Sequence, residues 1–261
     1  MSGGPCRAVF VSHGAPTIVL DGSPAARFLS GLGAALGRPR AIVVASAHWT
    51  TRRPAVSAAA APRTIHDFGN FDDRLFEMRY PAPGDPALAA EVARRIGAAG
   101  MECDVDPGRG FDHGAWTPLM LMYPDAGIPV VSLAVQPHAS PAHHVAMGRA
   151  LRDLVHDDVL VIGSGSATHD LRRFRGQRID TPPDADTMRF ASWLRAAVES
   201  ADETALADVW SAPDARANHP TPEHLLPFHI AFGAGGGVAG QLLHHSFAYG
   251  ILALDAYGFS G

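Results

Sequence analysis

Short runs of apolar, largely β-branched residues recur along the chain, and between them apolar residues return at helical spacing. Arg7–Ser12 (RAVFVS), Ala41–Ser46 (AIVVAS), Val130–Val135 (VVSLAV) and Val159–Gly163 (VLVIG) are short and nearly uniformly apolar. They predict strands buried on both faces. Glu102–Val105 and Phe247–Leu254 predict two more strands, and Thr50–Ala60 a strand or hairpin. Helices are predicted over Ser23–Leu36, with Ser23 as N-cap and Pro24 at the first helical position, and over Asp85–Gly97, with Gly100 beyond its end. Pro141–Leu154, Asp184–Glu199 and Glu203–Val209 read as further helices, and Asn218–Phe228 as a turn that becomes helical. Pro62–Pro83 is irregular and rich in aromatic residues, a length typical of functional loops. Gly108–Pro118 reads as a glycine-rich turn and Gly233–Gly240 as a flexible surface loop. Buried strands alternating with helices predict a single α/β domain over residues 1–261, three-layer α/β/α with a mixed, mostly parallel central sheet.

Composition narrows the chemistry. The 261 residues are 47% hydrophobic and 18% charged, with a formal charge of −5. A chain of this length buries enough surface to fold without disulfides. All 21 basic residues are arginine. The absence of lysine excludes a Schiff-base lysine, a P-loop lysine and a Ser–Lys dyad. No basic stripe points to nucleic acid. Two cysteines, Cys6 and Cys103, are too few for a thiolate zinc site. The N-terminus MSGGPCRAVFVSHG lacks the signal-peptide pattern, and no apolar run is long enough to span a membrane. The expectation is a soluble cytoplasmic protein with no nucleic-acid or membrane partner.

The 14 histidines are the unusual feature. In open α/β sheets ligands bind beyond the carboxyl ends of the strands. His13 follows VFVS, His48 follows VVASA, His138 follows VSLAVQP and His169 follows VIGSGSAT, so parallel strands bring these imidazoles to one edge. Imidazole is a common ligand of iron, zinc, copper and nickel. Each also has a plainer reading: His13 as a turn residue, His48 as a core-edge neighbour of Trp49, His224 as a solvated helix opener. Glu223 is open as ligand, orienter or first-turn acid. His113 sits on the glycine-flanked FDHGAW segment, where catalytic side chains are often presented. Asp112 is a candidate to orient it, and His66 is a candidate substrate contact. His138 is left undecided. His143, His144, His156, His229, His244 and His245 read as structural. GSGS is not a nucleophile elbow, so a nucleophilic Ser164 or Ser166 is disfavoured.

SHGAP, SAHW, FDHGAWTPL, GSGSATHDL and HPTPEHLLPF occur in this order, and the chain closes on SFAYGILALDAYGF. In these motifs it resembles the 4,5-DOPA extradiol dioxygenase-like proteins. These belong to the class III extradiol ring-cleavage dioxygenases, which are protocatechuate 4,5-dioxygenase β-subunit-like. The resemblance covers nearly the whole chain. It implies one divalent metal per chain, with His13, His48 and His224 as ligands. It places His169 close to the metal, as an acid/base or a further ligand, and His113 on the substrate side. It implies insertion of both atoms of O2 into a catecholic, DOPA-like substrate. Ferrous iron is the working metal so implied, with zinc expected as a competing occupant because it binds imidazole more tightly.

Two other readings compete. A zinc hydrolase would use the same histidines to activate water. A catalytically silent metal-binding or scaffold protein would lack an aromatic-lined site beside the metal; Trp49, Phe68, Phe71, Trp116 and Phe228 argue mildly against it. The expected partners are a small catechol and O2, with a homo-oligomer admissible.

Overall fold

Residues 6–260 are described in the structure, a computed structural model. Residues 1–5, part of the N-terminal stretch read above for a signal peptide, lie outside the described residues, as does residue 261. The described strands are β1 (Ala8–Ser12), β2 (Ala41–Thr50), β3 (Ala55–Ser57), β4 (Asp104–Asp106), β5 (Val130–Val135), β6 (Val159–Gly165), β7 (Gly240–His244), β8 (Phe247–Ala248), β9 (Leu252–Ala253) and β10 (Ala256–Phe259). Eight form one sheet in the order β4-β3-β5-β2-β6-β1-β10-β7, and β8 pairs with β9 separately. The middle strands β5, β2, β6 and β1 run parallel; β10 and β7 add antiparallel at one edge, and β3 is antiparallel to β5 at the other. The mixed, mostly parallel α/β sheet expected from the sequence is the one that forms.

Uniform apolarity of the central strands follows from two covered faces. Alternate residues point to opposite sides. Phe10, Val43 and Val161 pack with the helices Pro86–Ala98, Pro141–Ala150, Ala185–Glu199 and Leu226–Ala234. Val9, Val11, Ile42, Val44, Leu160 and Ile162 pack with the helices Pro24–Leu36 and His113–Met122. Each such side chain, fully buried, contributes roughly 1.5–3 kcal/mol. Ser23 caps the first of these helices, its hydroxyl accepting from the Ala26 N–H at 3.1 Å.

Four expectations are corrected. Gly108–Pro118 is not all turn: helix starts at His113, capped by the Asp112 carboxylate accepting from the Ala115 N–H. Pro141–Leu154 is broken at Leu151 into two helices. Gly233–Gly240 is not a flexible surface loop. Gly233 lies buried in the helix Leu226–Ala234, where a Cβ would sit 2.2 Å from the Val145 carbonyl oxygen, so its glycine serves close helix packing. Phe247–Leu254 is not a strand of the sheet but the β8–β9 hairpin, turning at Tyr249 and Gly250; the sheet edge is built from β10 and β7, which the sequence reading missed. Among the described residues no helix is long and apolar enough to cross a membrane.

Candidate metal centre

The site lies at the carboxyl ends of β1, β2 and β6. His13 directly follows β1, and its N–H donates to the Gly165 carbonyl at 2.9 Å. His48 lies inside β2, which runs four residues further than the apolar pattern suggests. Its register against β5 passes from Ser46↔Ala134 to Thr50↔Val135. Ala47, His48 and Trp49 therefore form a bulge, a device that turns a side chain off the regular strand face. His224 arrives on the turn before the helix Leu226–Ala234. A Cβ on Gly165 would lie 2.0 Å from the His224 carbonyl oxygen, so only glycine lets this turn reach β6.

The Nε2 atoms of these three histidines converge: His13 to His48 is 3.1 Å, and His48 to His224 is 3.2 Å. The three rings are splayed, by 53°, 82° and 56° in the pairs His13–His48, His48–His224 and His13–His224. Their other nitrogens fix which atom carries the proton. Pro118 has no N–H, so the Gly114 carbonyl four residues earlier lacks its helical donor. The Ser164 hydroxyl fills that place, donating to Gly114. With its proton so committed, Ser164 accepts from His13 Nδ1 at 3.0 Å. The Glu223 carboxylate, which can only accept, lies 3.2 Å from His224 Nδ1. Asp67 lies 3.5 Å from His48 Nδ1. His13 and His224 therefore carry their protons on Nδ1 and turn bare Nε2 lone pairs toward His48, which has Asp67 on its Nδ1 side.

Burial keeps these rings uncharged. It pushes His13 and His224 well below the ordinary histidine range, and neighbouring imidazoles push them further. His48 is lowered to about 3, by burial first and then by His113, against the pull of Asp67. Three ring nitrogens thus meet at about 3 Å, two of them as bare lone pairs that a shared cation would satisfy. Imidazole nitrogens about 2.1 Å from a metal lie roughly 3.0–3.4 Å apart at adjacent positions. The donor set fits a divalent metal. His13, His48 and His113 likewise form a group with donor atoms within 4.8 Å of one another that could hold one ion.

A family model described as the catalytic LigB subunit of aromatic ring-opening dioxygenase matches residues 8–260. The chain belongs to this family of aromatic ring-opening dioxygenases. It is 40% identical over 262 residues to a Beta vulgaris protein named 4,5-DOPA dioxygenase extradiol, covering 96% of this chain and 95% of that one. An Escherichia coli K12 protein of the same name is 37% identical, with 88% of this chain and 85% of that one covered. A crystal structure of an uncharacterized Escherichia coli K12 protein superposes with a TM-score of 0.82 at 31% identity, covering 98% of this chain and 100% of that one.

In this dioxygenase the histidines singled out from sequence gather at one place. The His113 ring lies 5.5 Å from that of His13 and 3.8 Å from that of His48. His169 stacks face-on against His224, 3.4 Å between centroids and 7° between planes. Burial lowers it to about 4. Glu223 sits on the Nδ1 side of His224, away from the three Nε2 atoms, although its carboxylate, His169 and His224 also lie within ligand-sharing distance. His66 is not brought in; its Nε2 contacts the Met78 carbonyl and its ring packs on Phe68, Phe76 and Trp116. His138 is exposed. Asp112 does not orient His113. It is fully buried, accepting from Ser46 and Arg109 at 2.5 Å each, and burial pushes its carboxyl up.

Three residues were missed from sequence. Asp67 accepts from both the backbone N–H and the Nδ1 of His113, at 2.9 and 3.0 Å. Ser164 orients His13 and, wholly buried, is no nucleophile. His219 donates from Nε2 to the Ala167 carbonyl at 2.9 Å, and the neighbouring Asn218 carbonyl receives the His169 N–H, tying the loop that carries His169. Ser164 could have been noticed, since Ser46 and Ser164 are polar residues closing apolar strands. Asp67 has no local signal, because its partner lies 46 residues away; His219 opens the HPTPEHLLPF motif, but its partner 52 residues away leaves its role unmarked.

Proposed function

We propose that this protein is a metal-dependent extradiol dioxygenase that opens a catecholic, DOPA-like ring with both atoms of O2, in one catalytic domain spanning the chain and working in the cytoplasm. The observation that carries the reading is the convergence of the His13, His48 and His224 Nε2 atoms in a chain of the ring-opening dioxygenase family. These three are the proposed ligands of one divalent ion. Three nitrogens so placed would hold the ion while leaving it open to substrate and O2. Ferrous iron in such a site supplies Lewis-acid stabilisation of the catecholate and electron exchange with O2. Relatives named 4,5-DOPA dioxygenase extradiol support the substrate class.

The chain's own groups handle the protons. His113, beside His48 and His13, is placed to take the proton from a catechol hydroxyl. His169 is the second proton-transfer group. Its ring is stacked parallel on that of His224, so the lone pairs of the two rings run parallel rather than converging, an arrangement that suits proton transfer better than shared ligation. Burial keeps it unprotonated near neutral pH, ready to accept a proton and return it as the ring opens. Phe68, 5.7 Å from His113 and packed with Phe71 and Phe76, supplies the aromatic flank. The hydrolase reading finds no support among the relatives.

The test is anaerobic loading with ferrous iron, followed by O2 uptake across a panel of catechols and inspection for a yellow semialdehyde product. One O2 consumed per ring opened, dependent on added iron, supports the reading. Loaded protein that consumes no O2 with any catechol overturns it.

A further inference from the structure

Asp67 stands on the irregular stretch between β3 and the helix Pro86–Ala98, outside every element that carries a histidine of the site. Its Oδ1 accepts from the backbone N–H of His113 at 2.9 Å and from His113 Nδ1 at 3.0 Å. Its Oδ2 lies 3.5 Å from His48 Nδ1. One carboxylate thus faces the same ring edge of two imidazoles whose centroids are 3.8 Å apart. Its side chain is 24% exposed, so it is partly shielded from water that would weaken these bonds.

A carboxylate can accept but not donate. With Asp67 in this position His113 Nδ1 carries hydrogen, and the same carboxylate, 3.5 Å from His48 Nδ1, favours hydrogen there, which makes the two Nε2 atoms the working positions. His48 offers Nε2 to the proposed metal, and His113 offers Nε2 to the substrate proton. The next residue along, Phe68, lies 5.7 Å from the His113 ring. The same carboxylate therefore fixes where the aromatic stretch meets the site.

We propose that Asp67 is a positioning residue that sets one proposed metal ligand, His48, and one proton-transfer residue, His113, in the same protonation pattern and couples them. This rests on the functional reading above. Its consequence is that metal affinity and proton transfer fall together when the carboxylate is lost, although Asp67 touches neither metal nor substrate. Outer partners of metal ligands are worth about tenfold to a hundredfold in affinity or activity.

The test compares the full-length wild type with Asp67→Asn and Asp67→Glu. Ring-nitrogen NMR reports which nitrogen of His48 and His113 carries hydrogen. Competition with a chromophoric chelator gives the zinc dissociation constant. Turnover of the iron-loaded enzyme gives kcat and KM. In the wild type, His113 should carry its hydrogen on Nδ1. In Asp67→Asn, His113 should populate the Nε2–H form, zinc should bind about tenfold to a hundredfold more weakly, and kcat should fall with KM little moved. Asp67→Glu, which keeps the carboxylate, should recover part of both. Asp67→Asn with wild-type proton positions and zinc affinity overturns the proposal. So does a wild type whose His113 carries hydrogen on Nε2, which needs no variant to fold. Wild type that binds zinc with the expected proton positions but turns over no catechol sinks the functional reading and leaves this role for Asp67 standing.

Discussion

The imidazoles of His169 and His224 lie parallel to within 7°, with centroids 3.4 Å apart. The lone pairs of the two rings therefore run parallel and do not converge. His169 is thus set apart from the proposed ligands although its ring lies closer to His224 than the three ligand rings lie to one another. His169→Gln should keep one equivalent of metal while kcat falls by about 10²–10⁴, the usual share of a general acid or base. Metal content by emission spectrometry and O2 uptake on the same sample decide it. Loss of the metal in this variant would make His169 a ligand.

His13 should behave in the opposite way. It is 1% exposed, and its Nδ1 is held by a bond chain that begins at Pro118, frees the Gly114 carbonyl and commits the Ser164 hydroxyl. That chain leaves the His13 Nε2 lone pair facing His48. His13→Ala should bind less than one equivalent of zinc under conditions that saturate the wild type. Zinc at 100 times its dissociation constant should stabilise the wild type by about 2.7 kcal/mol and leave the variant's denaturation midpoint unmoved. Equal stabilisation of both would remove His13 from the ligand set.

How far the sequence carries the reader depends on the range of the physics. The four central strands are legible because both faces are covered, which leaves an apolar signature within five or six residues. His13, His48 and His169 are legible for a related reason: each trails such a run. β7 and β10 are not, since GQLLH and AYGF are short, half-polar or glycine-bearing segments; β10 is placed by pairing with the distant β1, and β7 by pairing with β10. Gly233 is misleading, because a glycine that admits a neighbouring backbone looks in sequence like one that loosens a loop. Asp67 escapes for lack of any local pattern; its partner His113 belongs to a helix 46 residues on.

Two glycines give contrasting expectations. Gly165 faces the His224 carbonyl oxygen at 2.0 Å from where a Cβ would be, while Gly31, in the helix Pro24–Leu36, has nothing within 4 Å. Gly165→Ala must push the His224 turn off β6, costing about 1–3 kcal/mol as other overpacked sites do. It should also weaken zinc binding, because His224 Nε2 moves from His48. Gly31→Ala should be neutral or stabilising by about 0.5–1 kcal/mol, the helix preference of alanine over glycine. Urea midpoints and zinc titrations of the two variants read both effects. Unchanged zinc affinity in Gly165→Ala would show that the turn carrying His224 is free to adjust.

Acid stability is set by the buried histidines, those of the site and others remote from it. His144 is buried and satisfied only as a neutral ring: its Nε2 accepts the Gln136 N–H at 3.0 Å, and its Nδ1 donates to the Ser140 carbonyl at 2.9 Å. Burial lowers it to about 3, and His229 is lowered to about 4 for the same first reason. The unfolded chain protonates these rings near pH 6.5 and the folded one does not, so acid favours unfolding. Each such ring takes away up to about 1.4 kcal/mol per pH unit below 6.5, until the folded group itself titrates. His245 works in the other direction. Its bond to the buried Asp255 carboxylate, 2.7 Å long, raises it, so its contribution is complete below pH 6.5 and disappears as pH rises through the raised value. Chelator-treated protein should therefore be most stable near pH 6.5 and lose stability between pH 6.5 and 5. Asp67, ionised in both states over that interval, adds little to the slope. His144→Gln, whose side-chain carbonyl can still accept from Gln136, should flatten the acid slope by about one proton. A slope identical to wild type would mean that His144 takes up its proton without unfolding.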